Sequence, residues 1–259
     1  MSRASVHVGG RKGEFAGRIA LVTGAAGDIG RAIANTLADD GACVAASDLD
    51  GMPLPTDRVF PCDVSDAQAV EALVDAVERT LGPIDCLAHA AGVLRVADTM
   101  DLSEDDWDYC MRVNARGAFL VTRAVARRMS ARRRGSLVVV GSNAATAPRV
   151  GMSAYAASKA AAHQLVRCLA LELAPLGIRC NLVSPGSTET AMQREFAPTQ
   201  AHRDRIVLGE PGRFRLGIPL GRIAQPQDIA DSVAFLLSDR ARHITLCDLR
   251  VDGGATLDM

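Results

Sequence analysis

The sequence has little aromatic content, few lysines and no long apolar run. Only 3% of its 259 residues are aromatic, too few for a platform on which single-stranded nucleic acid could stack. Acidic and basic residues nearly balance, 30 against 29, so the net charge of −1 provides no attraction to nucleic acid or to an anionic membrane. No stretch reaches the ~18 apolar residues of a membrane-spanning helix. We therefore expect neither nucleic acid nor a membrane as a partner.

Cysteine is present without a pattern that binds metal or forms disulfides. The seven cysteines are odd in number, scattered along the chain, and include no C-x-x-C pair. Neither a zinc site nor a disulfide framework is predicted, and we expect no metal. Residues 1–16 are polar and glycine-rich and lack the apolar centre of a signal peptide, so we interpret them as a flexible extension on a cytoplasmic protein.

Short apolar runs alternate with longer amphipathic stretches from residue 18 onward. The apolar runs cover 19–23, 42–47, 84–88, 137–140, 178–183 and 246–251. The amphipathic stretches, with apolar residues at helical spacing, cover 29–38, 66–81, 105–129, 154–174 and 226–237. Strands that are apolar throughout are buried on both faces, and their alternation with helices indicates parallel pairing. The sequence thus predicts one α/β domain, 17–259, with a Rossmann-like doubly wound parallel sheet and helices on both faces.

A glycine-rich turn joins the first predicted strand to the first predicted helix. Its sequence over 23–30 is T-G-A-A-G-D-I-G. Glycine permits a tight turn and a close approach of the backbone to a pyrophosphate, while the helix N-terminus adds N–H donors and a positive dipole. A glycine-rich turn that binds no ligand is the alternative. The predicted cofactor contacts in this turn are Gly24, Gly27, Asp28, Ile29 and Gly30.

Carboxylates and small residues follow the next strands. Asp48 comes at the end of the second strand, where it could accept hydrogen bonds from both ribose hydroxyls of an adenosine and would repel a 2′-phosphate. This favours NAD over NADP, with a turn aspartate that binds nothing as the alternative. Further predicted cofactor contacts are Asp63 and Val64 near the adenine, and the small residues Ala90, Ala91 and Gly92.

Two rare residue types stand one helical turn apart in the predicted helix 154–174. Tyr155 is one of two tyrosines and Lys159 is one of two lysines in the chain, and their spacing of four puts them on one helix face. A phenol with an ordinary pKa near ~10 is a poor base, and a nearby ammonium would lower that pKa. With the hydroxyl of Ser142, which follows the run 137–140, they predict a proton-transfer site for an alcohol or carbonyl. A surface tyrosine beside an unrelated lysine is the alternative.

These features together resemble the motif set of the short-chain dehydrogenase/reductase family. The matching positions are 23–30, Asp63, 90–92, Asn114, Ser142, Y-A-A-S-K over 155–159, and P-G over 185–186. The resemblance implies that Tyr155 is the acid/base and that Lys159 binds the nicotinamide ribose and depresses the pKa of Tyr155. It implies that Ser142 orients the substrate oxygen and that Asn114 holds a water in a proton relay.

The same resemblance implies further contacts and an assembly. Pro185, Gly186 and Thr188 become candidate cofactor contacts. Members of the family usually associate through their long helices, so a homotetramer or homodimer is expected.

Two positions depart from the family pattern. Asp28 stands where a glycine is usual, and a carboxylate directed at a pyrophosphate would be unfavourable. We expect Asp28 to face away and cap the helix. His89 stands where an asparagine is usual. We interpret it as a structural histidine at a strand end, with a second catalytic base as the alternative.

Additional segments resemble the branch of this family that oxidises 2,3-dihydro-2,3-dihydroxybenzoate. They are 94–95, 148–155, 183–190, 192–194, 216–221, 243–246 and 251–257. The implied reaction removes a hydride from the carbon that bears the 3-hydroxyl of a cyclohexadiene carboxylate. The resulting ketone tautomerises to 2,3-dihydroxybenzoate, for siderophore or specialised-metabolite biosynthesis. Three alternatives stay open: trans-2,3-dihydro-3-hydroxyanthranilate as the substrate, a generic oxidoreductase of the family, and a dinucleotide sensor without catalysis.

A carboxylated substrate needs a cationic partner, preferably a bidentate arginine. The candidates are Arg95 after a strand end, Arg149 between Ser142 and Tyr155, and Arg194 in the segment after 185. For each of them a solvated surface arginine is the alternative.

The remaining substrate contacts are predicted around the ring. Ser142 and Met152 are candidate contacts, and the 2-substituent could meet Asn143, Met152, Ser187 or Gln193. Residues 188–217 lack strand periodicity, and a segment this long in a compact domain is often an active-site lid. We predict that it is mobile and closes over nicotinamide and substrate.

Overall fold

The predicted apolar runs pair side by side in one parallel sheet. The structure is a computed structural model, and it describes residues 13–49, 51–52 and 56–257. Its strands are β1 (Ile19–Thr23), β2 (Cys43–Ser47), β3 (Ile84–His89), β4 (Gly135–Val140), β5 (Ile178–Pro185), β6 (Gly209–Glu210), β7 (Arg215–Leu216) and β8 (Asp248–Val251). Among the described residues, six of them form the sheet in the order β2-β1-β3-β4-β5-β8, all parallel. β6 and β7 form a separate antiparallel pair.

Helices cover both faces of this sheet. They are α1 (Asp28–Asp39), α2 (Ala67–Thr80), α3 (Glu104–Cys110), α4 (Ala118–Arg132), α5 (Ser153–Leu173), α6 (Ala191–Phe196), α7 (Gln200–Leu208) and α8 (Pro226–Leu237). None of the helices in the described part of the chain has the length and hydropathy of a membrane span. α2, α4 and α5 pack on one face with Leu21 and Leu87, while α1 and α8 pack on the other with Ala20 and Val22. Since neighbouring strand residues point to opposite faces, this packing explains the uninterrupted apolar runs and confirms the doubly wound α/β fold.

One predicted helix is interrupted. The stretch predicted as a single helix over 105–129 consists of α3, a π-helical turn at Met111–Gly117, and α4. α3 begins where the Ser103 hydroxyl oxygen accepts the Asp106 N–H at 3.1 Å. The wide turn carries Asn114, whose side chain is buried. Such π-helical insertions are frequent at functional sites.

The packed domain includes residues ahead of the predicted boundary at 17. Phe15 is fully buried between α1 and α8, and its backbone N–H donates to the Asp40 carbonyl at 3.0 Å. Glu14 pairs with Arg240, beyond α8, at 3.1 Å. Of the extension predicted over 1–16, residues 1–12 lie outside the described part of the chain, and 13–16 lie against the domain.

The predicted lid, 188–217, contains α6, α7 and the β6–β7 pair. Asp28, at the start of α1, accepts a hydrogen bond from the Ala191 N–H at the start of α6, at 2.6 Å. A small apolar cluster joins the lid to the segments that follow it, and its members are Ala197, Ile206, Ile218, Ile223 and Ala255. The closing motion of this segment stays a prediction.

Candidate active site

A cavity of about 390 Å³ opens at the carboxyl ends of β1, β3, β4 and β5. In a doubly wound sheet this is the edge at which ligands bind. Predicted site residues that line it are Ile29, Ala90, Gly92, Ser142, Arg149, Met152, Tyr155, Lys159, Pro185, Gly186 and Thr188. The candidates for the 2-substituent also line it, namely Asn143, Met152, Ser187 and Gln193. The fold therefore brings part of the cofactor end into one cavity with the chemical end of the predicted site. The predicted cofactor contacts that do not line it are Gly24, Gly27, Asp28, Gly30, Asp48, Asp63, Val64 and Ala91.

Two glycines of the glycine-rich turn have no room for a side chain. Gly24 has a φ of +72°, and a Cβ there would lie 2.4 Å from the Ala91 nitrogen. A Cβ on Gly30 would lie 2.0 Å from the Gly24 carbonyl oxygen. Gly27, the N-cap of α1, has no side chain to occupy the first N–H groups of the helix, so these can meet an anion. The turn fits the pyrophosphate of a dinucleotide.

Asp48 holds this turn against the end of β2. Its Oδ2 accepts the Ala26 N–H at 2.9 Å, and its Oδ1 accepts the Leu49 N–H at 2.8 Å. The carboxylate stays partly exposed, so the hydroxyls of a ribose can reach it. Asp63 is exposed and Val64 is buried, and neither of them lines the cavity.

Asp28 does not cap its own helix, so that prediction is wrong. The N-cap of α1 is Gly27, and the Asp28 carboxylate accepts the Ala191 N–H and lies 3.7 Å from the Arg194 guanidinium. The carboxylate therefore faces the N-terminus of α6, where the helix dipole is favourable to a negative charge. This contact explains how an acidic residue is tolerated in the glycine-rich turn.

His89 lies inside the sheet at the end of β3. Its Nδ1 is 2.7 Å from the Thr23 hydroxyl oxygen. Burial, with the positive charge of Lys159, lowers the pKa of His89 to about 3. The imidazole is therefore neutral near pH ~7 and does not line the cavity, which favours the structural interpretation over a second base.

Tyr155, Ser142 and Lys159 converge where β4 ends and α5 begins. The Ser142 hydroxyl acts to lower the pKa of Tyr155, so the two side chains are close neighbours. The Ser142 hydroxyl oxygen also accepts the Ala144 N–H at 3.1 Å, which leaves the serine proton for another acceptor. Lys159 Nζ donates to the Val140 carbonyl at 3.0 Å and lies 5.9 Å from the centroid of the Tyr155 ring. The predicted triad is therefore assembled by the first two turns of α5, which carry Tyr155 and Lys159, and by the loop after β4, which carries Ser142.

The electrostatics of this triad differ from the prediction. Burial raises the pKa of Tyr155 above its ordinary value, and the Ser142 hydroxyl opposes this only in part. Burial also lowers the pKa of Lys159 to about 8. The predicted lowering of the Tyr155 pKa is thus wrong for this structure, because removal of the phenol from water outweighs the effect of the group that lowers it.

Asn114 fixes the loop that follows β3. Its Oδ1 accepts the Val93 N–H at 2.8 Å, and its Nδ2 donates to the Val93 carbonyl and to the Ser158 hydroxyl, both at 2.9 Å. A Cβ on Gly92 would lie 3.2 Å from both Asn114 Oδ1 and Lys159 Nζ. The small residue after β3 is therefore needed for the packing of the lysine and the asparagine.

Two of the three predicted carboxylate partners are engaged elsewhere. Arg95 pairs with Asp106 at 2.9 Å, and Arg194 lies near Asp28 at 3.7 Å. Neither arginine lines the cavity, whereas Arg149 does. The geometry thus retains only one of the three predicted arginines near the reacting groups.

Three further arginines line the cavity, and the sequence reasoning missed them: Arg205, Arg213 and Arg215. Arg149 Nη2 donates to the Thr256 hydroxyl at 3.3 Å, and Arg215 Nη2 donates to the Ser187 hydroxyl at 3.0 Å. Within the described residues, neither guanidinium lies within 4.0 Å of a carboxylate oxygen. The signal that could have indicated Arg215 is the density of arginine in the predicted lid, at Arg194, Arg203, Arg205, Arg213 and Arg215.

The charges of neighbouring arginines destabilise the charge of Arg215. Burial lowers the pKa of Arg149, against the opposite effect of Asp252. Burial also lowers the pKa of Arg215, the charge of Arg149 lowers it further, and Glu210 opposes both. A bound anion would relieve this repulsion, so the pair favours an anionic ligand.

Comparison with known proteins agrees with this geometry. Residues 24–256 match the family model described as Enoyl-(Acyl carrier protein) reductase. The chain is 47% identical over 254 residues to a 2,3-dihydro-2,3-dihydroxybenzoate dehydrogenase of Bacillus subtilis, which covers 93% of this chain and 97% of the relative. It is 43% identical over 249 residues to the Escherichia coli enzyme of the same name, at 94% and 99% coverage. The crystal structure of levodione reductase superposes with a TM-score of 0.85 at 28% identity, over 93% of this chain and 98% of that one.

The match to the family model spans most of the chain, and these relatives share more than a third of its residues over nearly their full length. The glycine-rich turn, the parallel sheet and the tyrosine–lysine helix lie in the positions that the motif set requires. The chain belongs to the short-chain dehydrogenase/reductase family, the oxidoreductases that work with a nicotinamide dinucleotide.

Proposed function

We propose that this protein oxidises 2,3-dihydro-2,3-dihydroxybenzoate to 2,3-dihydroxybenzoate with NAD as the hydride acceptor. One observation carries the proposal: the cavity that holds the neighbouring hydroxyls of Tyr155 and Ser142 is also lined by four arginines. The hydroxyl pair suits a ring alcohol, and the arginines suit a carboxylate. The relatives from Bacillus subtilis and Escherichia coli carry the name of this activity.

Oxidation of the ring alcohol separates a proton from a hydride. Tyr155, as phenolate, takes the proton of the 3-hydroxyl at its Oη. Ser142 donates a hydrogen bond to the same substrate oxygen and keeps its own proton. When bound, the oxidised nicotinamide supplies the acceptor for the hydride from the carbon that bears this hydroxyl. The ketone then loses the hydrogen of the neighbouring ring carbon as a proton and becomes a catechol. Aromatisation makes the oxidation effectively one-way.

Lys159 and Asn114 support this proton transfer. Lys159 Nζ is held by the Val140 carbonyl at 3.0 Å, near enough to Tyr155 to favour the phenolate and to bind the nicotinamide ribose. Asn114 Oδ1 accepts one N–H, from Val93, and keeps a second acceptor position for the water of a proton relay.

NAD fits the site better than NADP. The carboxylate of Asp48 is partly exposed at the end of β2, beside the turn that suits the pyrophosphate. It can accept hydrogen bonds from ribose hydroxyls and would repel a phosphate on the 2′-oxygen. Asp63 and Val64 then lie toward the adenine, and Ala90, Ala91 and Gly92 lie along the cofactor.

Arg149 and Arg215 bind the substrate carboxylate. Both side chains are partly buried. Their described hydrogen bonds go to hydroxyls or to a backbone carbonyl, and the positive charge of Arg149 acts to lower the pKa of Arg215. A carboxylate between them gains charge-assisted hydrogen bonds and removes that repulsion. Met152 and the lid segment 188–217 enclose the ring from other sides of the cavity.

The protein works in the cytoplasm as a homotetramer or homodimer. The seven cysteines are all free, as suits a reducing compartment. Phe119 on α4 and Leu171 on α5 remain exposed on the long helices through which family members usually associate.

Removing the phenol hydroxyl tests the reaction. We expect Tyr155→Phe to lower turnover of 2,3-dihydro-2,3-dihydroxybenzoate by at least ~100-fold, because the proton acceptor is lost, while the Kd for NAD stays within about 2-fold. NADH absorbance measures turnover, and titration calorimetry measures the Kd. Tyr109→Phe is the matched control, since this second tyrosine lies outside the cavity lining and should turn over normally.

The substrate itself is tested with the unmodified protein. 2,3-Dihydro-2,3-dihydroxybenzoate and trans-2,3-dihydro-3-hydroxyanthranilate are compared side by side by NADH absorbance. Faster turnover of the 2-amino acid would reassign the substrate. No NADH from either acid would contradict the proposed function and leave the fold and family untouched.

Asp48 is expected to set the cofactor preference. Asp48→Ala should reduce the ratio of kcat/KM with NAD to that with NADP by at least ~10-fold, because the charge that repels the 2′-phosphate is gone. Asp48→Asn keeps an oxygen for the Ala26 N–H and should relax the ratio as well. A ratio unchanged in both variants would show that another group discriminates between the cofactors.

The arginine pair is expected to recognise the carboxylate by charge. Arg149→Met and Arg215→Met should each raise KM for the acid by ~10–100-fold, since a hydrogen bond to a charged group contributes about 1.5–3 kcal/mol. With the uncharged carboxamide analogue, wild type and variants should have similar KM values. Arg95→Met and Arg194→Met are controls outside the cavity. An equal loss with acid and carboxamide would rule out carboxylate recognition.

Lys159 is expected to make stability depend on pH. Its folded pKa of about 8 lies below the ordinary value of 10.5, so between these values the unfolded chain binds more protons and stability rises with pH. Measured against Lys159→Met by urea unfolding, wild type should gain roughly 3 kcal/mol in the free energy of unfolding from about pH 7 to about pH 10.5. If wild type and Lys159→Met differed by the same free energy of unfolding at both pH values, the lowered pKa of Lys159 would be contradicted.

A further inference from the structure

A buried imidazole connects the catalytic loop to the far strand of the sheet. His163 lies on α5, one turn after Lys159, and is only 2% exposed. Its Nε2 accepts the backbone N–H of Ser142 at 3.2 Å. Because Nε2 acts as an acceptor, the ring proton is on Nδ1.

Asp248, on β8, faces the other nitrogen of the ring. His163 Nδ1 lies 3.1 Å from Asp248 Oδ2, and Arg167, one turn further along α5, lies 3.2 Å from the same oxygen. The Ser184 hydroxyl donates to Asp248 Oδ1. Burial acts to raise the pKa of Asp248, but His163, Ser184 and Arg167 together hold it below its ordinary value. The carboxylate is therefore ionised, and its charge favours the ring proton on Nδ1, although the two groups are not aligned for a hydrogen bond.

The chain makes space for this ring directly before Ser142. A Cβ on Gly141 would lie 2.1 Å from His163 Nε2, so a side chain at this position would displace the imidazole. The Gly141 N–H donates to the Val183 carbonyl at 2.7 Å, in continuation of the β4–β5 ladder. One residue later the ladder has ended, and the Ser142 N–H has no strand partner. His163 supplies the acceptor that a buried N–H requires.

We infer that His163, oriented by Asp248, is a positioning residue for the reaction. It fixes the peptide of Ser142 so that the serine hydroxyl faces Tyr155 and the substrate oxygen. Without this acceptor the buried N–H would be unsatisfied, and the loop would move to reach another partner. A displacement of about 1 Å at a reacting group can reduce turnover by ~100-fold. This inference rests on the role proposed for Ser142.

Variants at position 163 separate positioning from general stability. His163→Leu fills the site without an acceptor, and His163→Gln offers an amide oxygen to the Ser142 N–H. For His163→Leu we expect kcat to fall ~10–100-fold, with the Kd for NAD and the KM for the acid within about 2-fold of wild type. His163→Gln should restore kcat to within about 3-fold of wild type. Arg167→Leu is the matched control, since it removes a partner of Asp248 that does not touch Ser142, and its kcat should be unchanged.

Three outcomes would overturn the inference. The first is a His163→Leu variant with normal kcat in an enzyme that loses turnover in Ser142→Ala. This result would contradict the inference and leave the proposed function intact. The second is a His163→Gln variant as impaired as His163→Leu. The third needs only folded wild type: nitrogen-15 NMR of labelled histidine should show His163 protonated at Nδ1 alone, and protonation at Nε2 would exclude the acceptor. A wild type without turnover would instead contradict the proposed function.

Discussion

Burial of the Lys159 ammonium beside Tyr155 is the constraint on which the site depends. A charge removed from water needs compensating hydrogen bonds, and the Val140 carbonyl at the end of β4 provides one at 3.0 Å. That bond fixes how the start of α5 sits against the sheet, and it leaves space only for a glycine at position 92. The phenol shares this dry environment, and burial raises its pKa while it lowers the pKa of the lysine to about 8. Burial thus pushes the pKa values of the two neighbouring groups apart, which is typical of paired groups in an acid/base site.

Polar side chains take over the role of strand partners where the sheet ends. Inside the sheet, backbone groups pair with the neighbouring strand, but the loops that form the site begin after the last pair. Asp48 bonds the backbone of the glycine-rich turn, Asn114 bonds both backbone groups of Val93, and His163 bonds Ser142. Each loop is thus held by a side chain from another element. The result is a rigid rim that can hold a cofactor and a substrate in fixed relation.

The sequence predicts the fold and the central chemistry well because both rest on local patterns. Apolar runs, glycines at a strand–helix junction and a Tyr–Lys spacing of four are each visible within a few residues. The features that the sequence did not predict depend on contacts between distant segments. Asp28 meets α6 from 163 residues away, and Arg215 reaches the cavity only because the lid folds back over it. The π-helical turn keeps the apolar side of its helix, so spacing alone does not reveal it, and the raised pKa of Tyr155 depends on a burial that no short motif encodes.

The hydrogen bond from the α6 backbone to Asp28 links two parts of the molecule that bind different ligands. The same short turn that suits a pyrophosphate also holds the first residue of a helix whose neighbours enclose the substrate ring. A ligand that moves the glycine-rich turn would also move the start of α6, and the reverse holds as well. Thermodynamic linkage makes the coupling free energy between the two sites the same in both directions. Under the proposed function, affinity for the dinucleotide and affinity for the acid would be coupled through this junction.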